Sequence, residues 1–181
     1  SDVKEISDYA KKLGHKGELM PWDFSYYSEK LKKEKYSLDD EILKPYFKLE
    51  NVIDAVFSLA NTLYGLNFTK ATDIPGYHPD VKVYDVTDAN GRHMAVFYAD
   101  FFPRESKRGG AWMTSFREQG FSKDGKVEIS PFTSIVCNFT KPTETEPSLL
   151  TFYEVTTFLH EFGHALHGIL AEGRFASLTG T

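Results

Sequence analysis

The stretch "TFYEVTTFLHEFGHALHGIL", residues 151–170, constrains this chain more than any other. Thr151 with Glu154 forms a T-x-x-E capping box, a signal for a helix start, and Gly173 supplies a stop. Phe152, Val155, Phe158, Leu159, Phe162, Leu166 and Ile169 place apolar side chains almost all the way round the expected helix. A helix apolar on every side belongs at the centre of a domain. His160, Glu161 and His164 would then be buried with it, at a cost that only a partner can offset. A metal ion is such a partner.

The motif "HEFGH", residues 160–164, carries the chemistry. Residues four apart share one helix face, so His160 and His164 can turn their ring nitrogens towards one zinc ion. Glu161 projects about a third of a turn from His160, too far round to share the ligand role. It is placed to take a proton from a water that the ion activates for attack on a peptide carbonyl. His167 faces the same side but stands about 10 Å along the axis from His160, and is read as a packed core histidine. The H-x-x-G-x-x-H extension of the metzincins would need Gly at 167 and His at 170; the sequence has His167 and Leu170. The remaining source of a third ligand is a Glu on a later helix. Glu172, the only acid downstream, would lie about 12 Å along the axis from His164 if the helix ran on. The third ligand is therefore not found after the motif within this sequence.

The rest of the chain predicts what surrounds this helix. Residues 1–70 read as helical: "VKEISDYAKKLG" stops at Gly14, "PWDFSYYSEKLKKEKYSL" starts at Pro21, and Ser37 with Asp40 offers a capping box before Pro45. "NVIDAVFSLANTLYG" has its apolar residues at helical spacing, with Asn51 as cap and Gly65 as stop. Residues 71–140 change period. "VKVYDVT", "HMAVFYADFF", "AWMTSF" and "SIVCNF" read as three or four strands of one small sheet, separated by turns such as "DANG" and "SKDGK". Residues 150–173 form the helix carrying the motif. The expected fold class is α+β, mostly helical, with a small sheet beside the helix.

Charge and composition narrow the partners. With 26 acidic against 21 basic residues, a net charge of -5 argues against nucleic acid. The chain has no 18-residue apolar run and a polar start, so no membrane partner is expected. The one cysteine, Cys137, rules out an internal disulfide, reads as a small buried hydrophobe, and favours a cytoplasmic setting, with a periplasmic one the alternative. Asp100 and Arg104 are expected to pair at a strand-to-loop corner. Tyr77 and His78 read as a structural turn. "RGGAWM", residues 108–113, is open to two readings, a strand edge offered to substrate or a tight turn into a strand.

The sequence also resembles a known family. "MPWDFSYYSEKL", "YFKLENVIDAVFSLANTLYGLNF", "VYDVTDANGRHMAVFYADFFPRESKRGGAWM", "CNFTKP", "EPSLLTFYEVTTFLHEFGHALH" and "RFASLTGT" together are similar to the thimet oligopeptidase family of zinc metallopeptidases. "RGGAWM" leans towards its peptidyl-dipeptidase branch. The resemblance implies that residues 1–181 are an internal, inactive piece of a zincin-like catalytic domain from a longer protein. It matches His160 and His164 to zinc ligands and Glu161 to the catalytic glutamate, and places the third Glu ligand just after Thr181. Release of dipeptides from the C-termini of short peptides is the implied activity. An endo-acting oligopeptidase and a non-catalytic module that keeps the helix as scaffold are the alternatives. Self-association through an uncovered apolar surface is a further expectation.

Overall fold

A computed structural model describes residues 2–36 and 40–180. The chain divides into two compact units, residues 1–43 and residues 44–181. Ser37, expected as a cap, lies outside the described residues.

The first unit contains α1 (Asp2–Lys12), α2 (Pro21–Tyr36) and the short α3 (Asp40–Leu43). Gly14 follows α1 with φ 90°, a conformation that glycine adopts without strain, and Pro21 opens α2. Between α1 and α2 the Tyr9 hydroxyl donates to Glu34 Oε2 at 2.7 Å, and Lys35 pairs with Glu5.

The second unit holds α4 (Leu49–Tyr64), β1 (Asn67–Lys70), β2 (Lys82–Thr87), β3 (His93–Asp100), β4 (Trp112–Arg117), β5 (Gly120–Phe121), β6 (Glu128–Ile129), β7 (Phe132–Val136) and α5 (Phe152–Ile169). Five strands form one sheet in the order β1-β2-β3-β7-β4, and β5 with β6 makes a small ribbon around the "SKDGK" turn. Only β3 and β7 run parallel. The described residues are thus mixed helix and sheet rather than mostly helical. The fifth strand of the main sheet, β1, comes from a segment read as helical. It is too short to show a period of its own, and pairing with β2 decides its state.

The core lies between one face of the sheet and the two long helices. Val52, Ile53 and Val56 of α4 and Phe158, Phe162 and Ile169 of α5 meet Tyr84, Val86, Phe97, Ala99 and Ile135. Phe97 is at its centre, edge-on to Phe162 at 5.6 Å and to Phe68 at 5.9 Å. β3 is buried on both faces from Ala95 to Asp100, because a second apolar cluster of Val81, Val83, Val96 and Tyr98 covers the side away from the helices.

Three helix ends differ from expectation or confirm it for identifiable reasons. α4 begins at Leu49, before the proposed cap Asn51. The Leu49 N–H donates to the Ser148 carbonyl and the Leu150 N–H to the Phe47 carbonyl, so a backbone bridge replaces a side-chain cap. Gly65 does end α4, with φ 69°. α5 ends at Ile169, short of Gly173. Gly173 instead donates its N–H to Gln119 Oε1 and lies so near Thr179 that a Cβ would come within 2.2 Å of its methyl group.

A buried charge cluster fixes the corner after β3. Asp100, 1% exposed, accepts from Arg104 Nη1, Lys107 Nζ and the Tyr77 hydroxyl, each at 2.9 Å. The pairing of Asp100 with Arg104 expected from sequence is present. Lys107, 2% exposed, also donates to the carbonyls of Asp100 and Phe102. Burial alone would raise the Asp100 pKa, but these three donors outweigh it and hold the carboxyl below its ordinary value. Burial pushes the Lys107 ammonium down and the Tyr77 hydroxyl up to about 12.

Two predictions follow from this packing. Phe97→Ala should cost about 3–5 kcal/mol of unfolding free energy in a denaturant titration. Asp100→Asn should cost about 3–5 kcal/mol at neutral pH, because it leaves Lys107 buried without its counter-charge. The sign of the pH effect follows from the lowered carboxyl pKa. The contribution of Asp100 is complete above the unfolded value of about 3.9 and is lost as pH falls through the folded value, so the acid limb of stability should be shallower in the variant.

Candidate metal centre

The capping box sets the start of α5. Thr151 Oγ1 accepts from the Glu154 N–H at 3.1 Å, and Glu154 Oε2 accepts from the Thr151 N–H at 2.8 Å. The other end is seated by a missing side chain. A Cβ on Gly168 would stand 3.1 Å from Thr133 Cγ2 of β7, so glycine lets this turn of the helix lie close against the sheet.

α5 is not buried on every side. Phe158, Glu161, Phe162, Ala165, Gly168 and Ile169 are buried, whereas Tyr153, Leu159, His160, Gly163, His164 and His167 are exposed. Sequence counts apolar residues around a helix but does not show which of them meet the sheet, and here one face stays uncovered. His167 is on that face and is not a packed core histidine.

His160 and His164 stand one turn apart with ring centroids 4.9 Å from each other and planes at 85°. Glu161 is 7% exposed and makes no hydrogen bond or ion pair among the described residues. Its neighbourhood is shown by Cys137, whose thiol is pushed up to about 12 by burial first and by the charge of Glu161 second. Two exposed imidazoles on one face, with a proton acceptor held at the edge of the core beside them, can bind a metal and receive a proton from a water on it. The residues fit zinc as two of the three protein ligands that a catalytic site uses. Among the described residues no group of three or more His, Cys, Asp or Glu is placed to hold one ion. Glu172 lies beyond the end of α5, and His78 is occupied in a turn, where its Nδ1 accepts from the Asp80 N–H at 3.2 Å.

Comparison with known proteins decides the family. The family model for "Peptidase family M3" matches residues 1–181. The chain belongs to peptidase family M3. This is a family of metallopeptidases, and the three motif residues lie within the matched region. Dipeptidyl carboxypeptidase of Escherichia coli is 48% identical over 162 residues, which is 89% of this chain and 23% of that protein. Oligopeptidase A of the same organism is 37% identical over 179 residues, 99% of this chain and 26% of that protein. Organellar oligopeptidase A of Arabidopsis thaliana is 40% identical over 177 residues, 94% of this chain and 22% of that protein. The chain thus spans about a quarter of the length of these relatives.

Sequence reasoning missed Lys107, which joins Arg104 and Tyr77 on the carboxylate of Asp100. The signal was there in "DFFPRESK", where two cations follow the acid at four and seven residues.

Zinc titrated into the metal-free chain should bind in a 1:1 ratio, far more weakly than at a site with three protein ligands. Replacing His164 by Ala should remove that binding in a calorimetric titration. Unchanged binding would show that the ion is held elsewhere.

Proposed function

We propose that this chain forms part of a zinc peptidyl-dipeptidase that releases dipeptides from the C-termini of short peptides. The observation that carries the reading is the arrangement of His160 and His164 one turn apart on an exposed helix face, with Glu161 buried and unpartnered beside them. In this reading residues 1–181 are a partial catalytic domain that has no appreciable activity alone. A bound zinc would act as a Lewis acid, making a water acidic enough to attack a peptide carbonyl. His160 and His164 would hold the ion, and a Glu from outside residues 1–181 would complete the protein ligands. Glu161 takes the proton of the attacking water on its carboxylate and passes it to the leaving amine.

β4 lies at the edge of the main sheet, after a bend at Gly109 and Gly110 where Gly110 has φ 93°. Both readings of "RGGAWM" meet here, a turn and then an edge strand, and a peptide can add to such an edge by backbone hydrogen bonds. The higher identity to a dipeptidyl carboxypeptidase than to the oligopeptidases supports exo-cleavage. Analysis of the products of the full-length protein separates the two activities: dipeptides alone indicate exo-cleavage, internal cuts an oligopeptidase. Among the described residues no helix is long and apolar enough to cross a membrane, and Cys137 is a buried free thiol. Both are in keeping with a cytoplasmic enzyme.

A groove of about 360 Å³ between α4 and α5, with Leu59 and Leu159 exposed along it, supports self-association of the isolated chain. Sedimentation of the 181-residue protein should show a concentration-dependent increase in mass.

In the full-length enzyme Glu161→Gln should lower kcat by about 10²–10⁴-fold while zinc content, read by elemental analysis, stays at one per chain. Near-normal turnover would remove Glu161 as the general base. Absence of zinc from the unaltered enzyme would favour the scaffold reading.

A further inference from the structure

The face of the main sheet turned away from α5 carries a second cavity. Side chains paired across strands share a face, and the register across β3, β7 and β4 gives the rows Asp100–Val136–Trp112 and Tyr98–Ser134–Thr114. The intervening row, Ala99–Ile135–Met113, belongs to the core against the helices, so the first two rows face the other way. Ser134 and Thr114 are small and leave a trough in the middle of this face. A register shift between Ser115 and Arg117 makes Phe116 an extra residue in β4. Phe116 stands edge-on to Tyr98 at 5.5 Å and to Tyr77 at 5.7 Å, and closes the trough with an aromatic wall. The space is a trough open to solvent on one side, with a volume of about 810 Å³, within the range of small-ligand sites.

The lining is positively charged. Arg104, Lys107 and Arg108 face it against the single carboxylate of Asp100. Arg104 and Lys107 are committed to that carboxylate. Arg108 is not: its guanidinium lies over the Trp112 ring at 5.2 Å and makes no ion pair among the described residues. A stacked guanidinium keeps its donors in plane and available to a carboxylate.

We propose that this cavity binds an aromatic residue bearing a free carboxylate, with the ring among Tyr77, Tyr98 and Phe116 and the carboxylate on Arg108. Such a ligand is supplied either by the C-terminus of a peptide or by a small free acid. The site lies across the sheet from α5 and uses none of the residues of the metal centre, so it stands or falls independently of the peptidase reading.

The test uses the 181-residue chain with Trp22→Phe, which leaves Trp112 as the only indole, in the presence of a chelator. N-acetyl-phenylalanine and the peptide Ala-Ala-Phe are titrated against Trp112 fluorescence, each beside its C-terminal amide. Saturable binding of the acids, at least tenfold tighter than the amides, is the expected result. Tighter binding of Ala-Ala-Phe than of N-acetyl-phenylalanine identifies a peptide end as the ligand, and equal binding identifies a small acid; both support the site. Arg108→Gln should abolish the preference for acid over amide, and Phe116→Ala should weaken both by tenfold or more, with the circular dichroism of each variant unchanged. No saturable change, equal binding of acid and amide, or an Arg108→Gln protein that keeps the preference would overturn the proposal.

Discussion

Asp100 terminates β3 and joins three parts of the chain that are far apart in sequence. Its carboxylate collects Tyr77 from the loop before β2 and Arg104 and Lys107 from the loop after β3. Its carbonyl accepts from the Cys137 N–H at the end of β7. A carboxylate taken out of water must have such partners, and having them fixes the direction in which the chain leaves the sheet. From that corner the chain reaches β4 on the far side of β7. The position of β4, and with it the shape of both sheet faces, depends on this cluster.

The candidate metal centre depends on a different balance. α5 lies against the sheet through Phe158, Phe162, Ala165 and Ile169, and each large apolar side chain fully buried there contributes about 1.5–3 kcal/mol. That burial brings Glu161 in with it and leaves the histidine face clear. The placement of Glu161 at the core edge, one position along from the exposed His160, is thus a by-product of core packing. His93 illustrates a polar tether on the other side of the unit, where its ring bridges Asp85 at 2.6 Å and Ser130 at 3.1 Å and ties β2 to the start of β7.

Much of this was legible in the residues alone, wherever a local rule decides the outcome. The Thr151–Glu154 capping box, the helix start at Pro21, the stop at Gly65 and the pairing of Asp100 with Arg104 rest on neighbours within a few positions. Errors arose where distant chain segments intervene. Asn51 is a good cap by type, yet pairing of residues 47–49 with 148–150 starts α4 earlier. Gly173 reads as a helix stop, but its lack of a side chain serves contact with Thr179. The histidine pair was legible as a spacing, whereas the exposure of His167 and the burial of Glu161 depend on which stripe of α5 faces the sheet.

Strand order also bears on how the sheet is assembled. β1, β2 and β3 pair with sequence neighbours, across connections of residues 71–81 and 88–92. β7 must return to β3 across about 30 residues, and β4, although earlier in the chain, has no partner in the main sheet other than β7. Loop closure makes the distant pairing entropically later than the local meander. Until β7 inserts, β4 is a detached ribbon and Asp100 lacks the backbone donor at Cys137. The edge strand and the corner beneath it therefore both wait on the placement of β7.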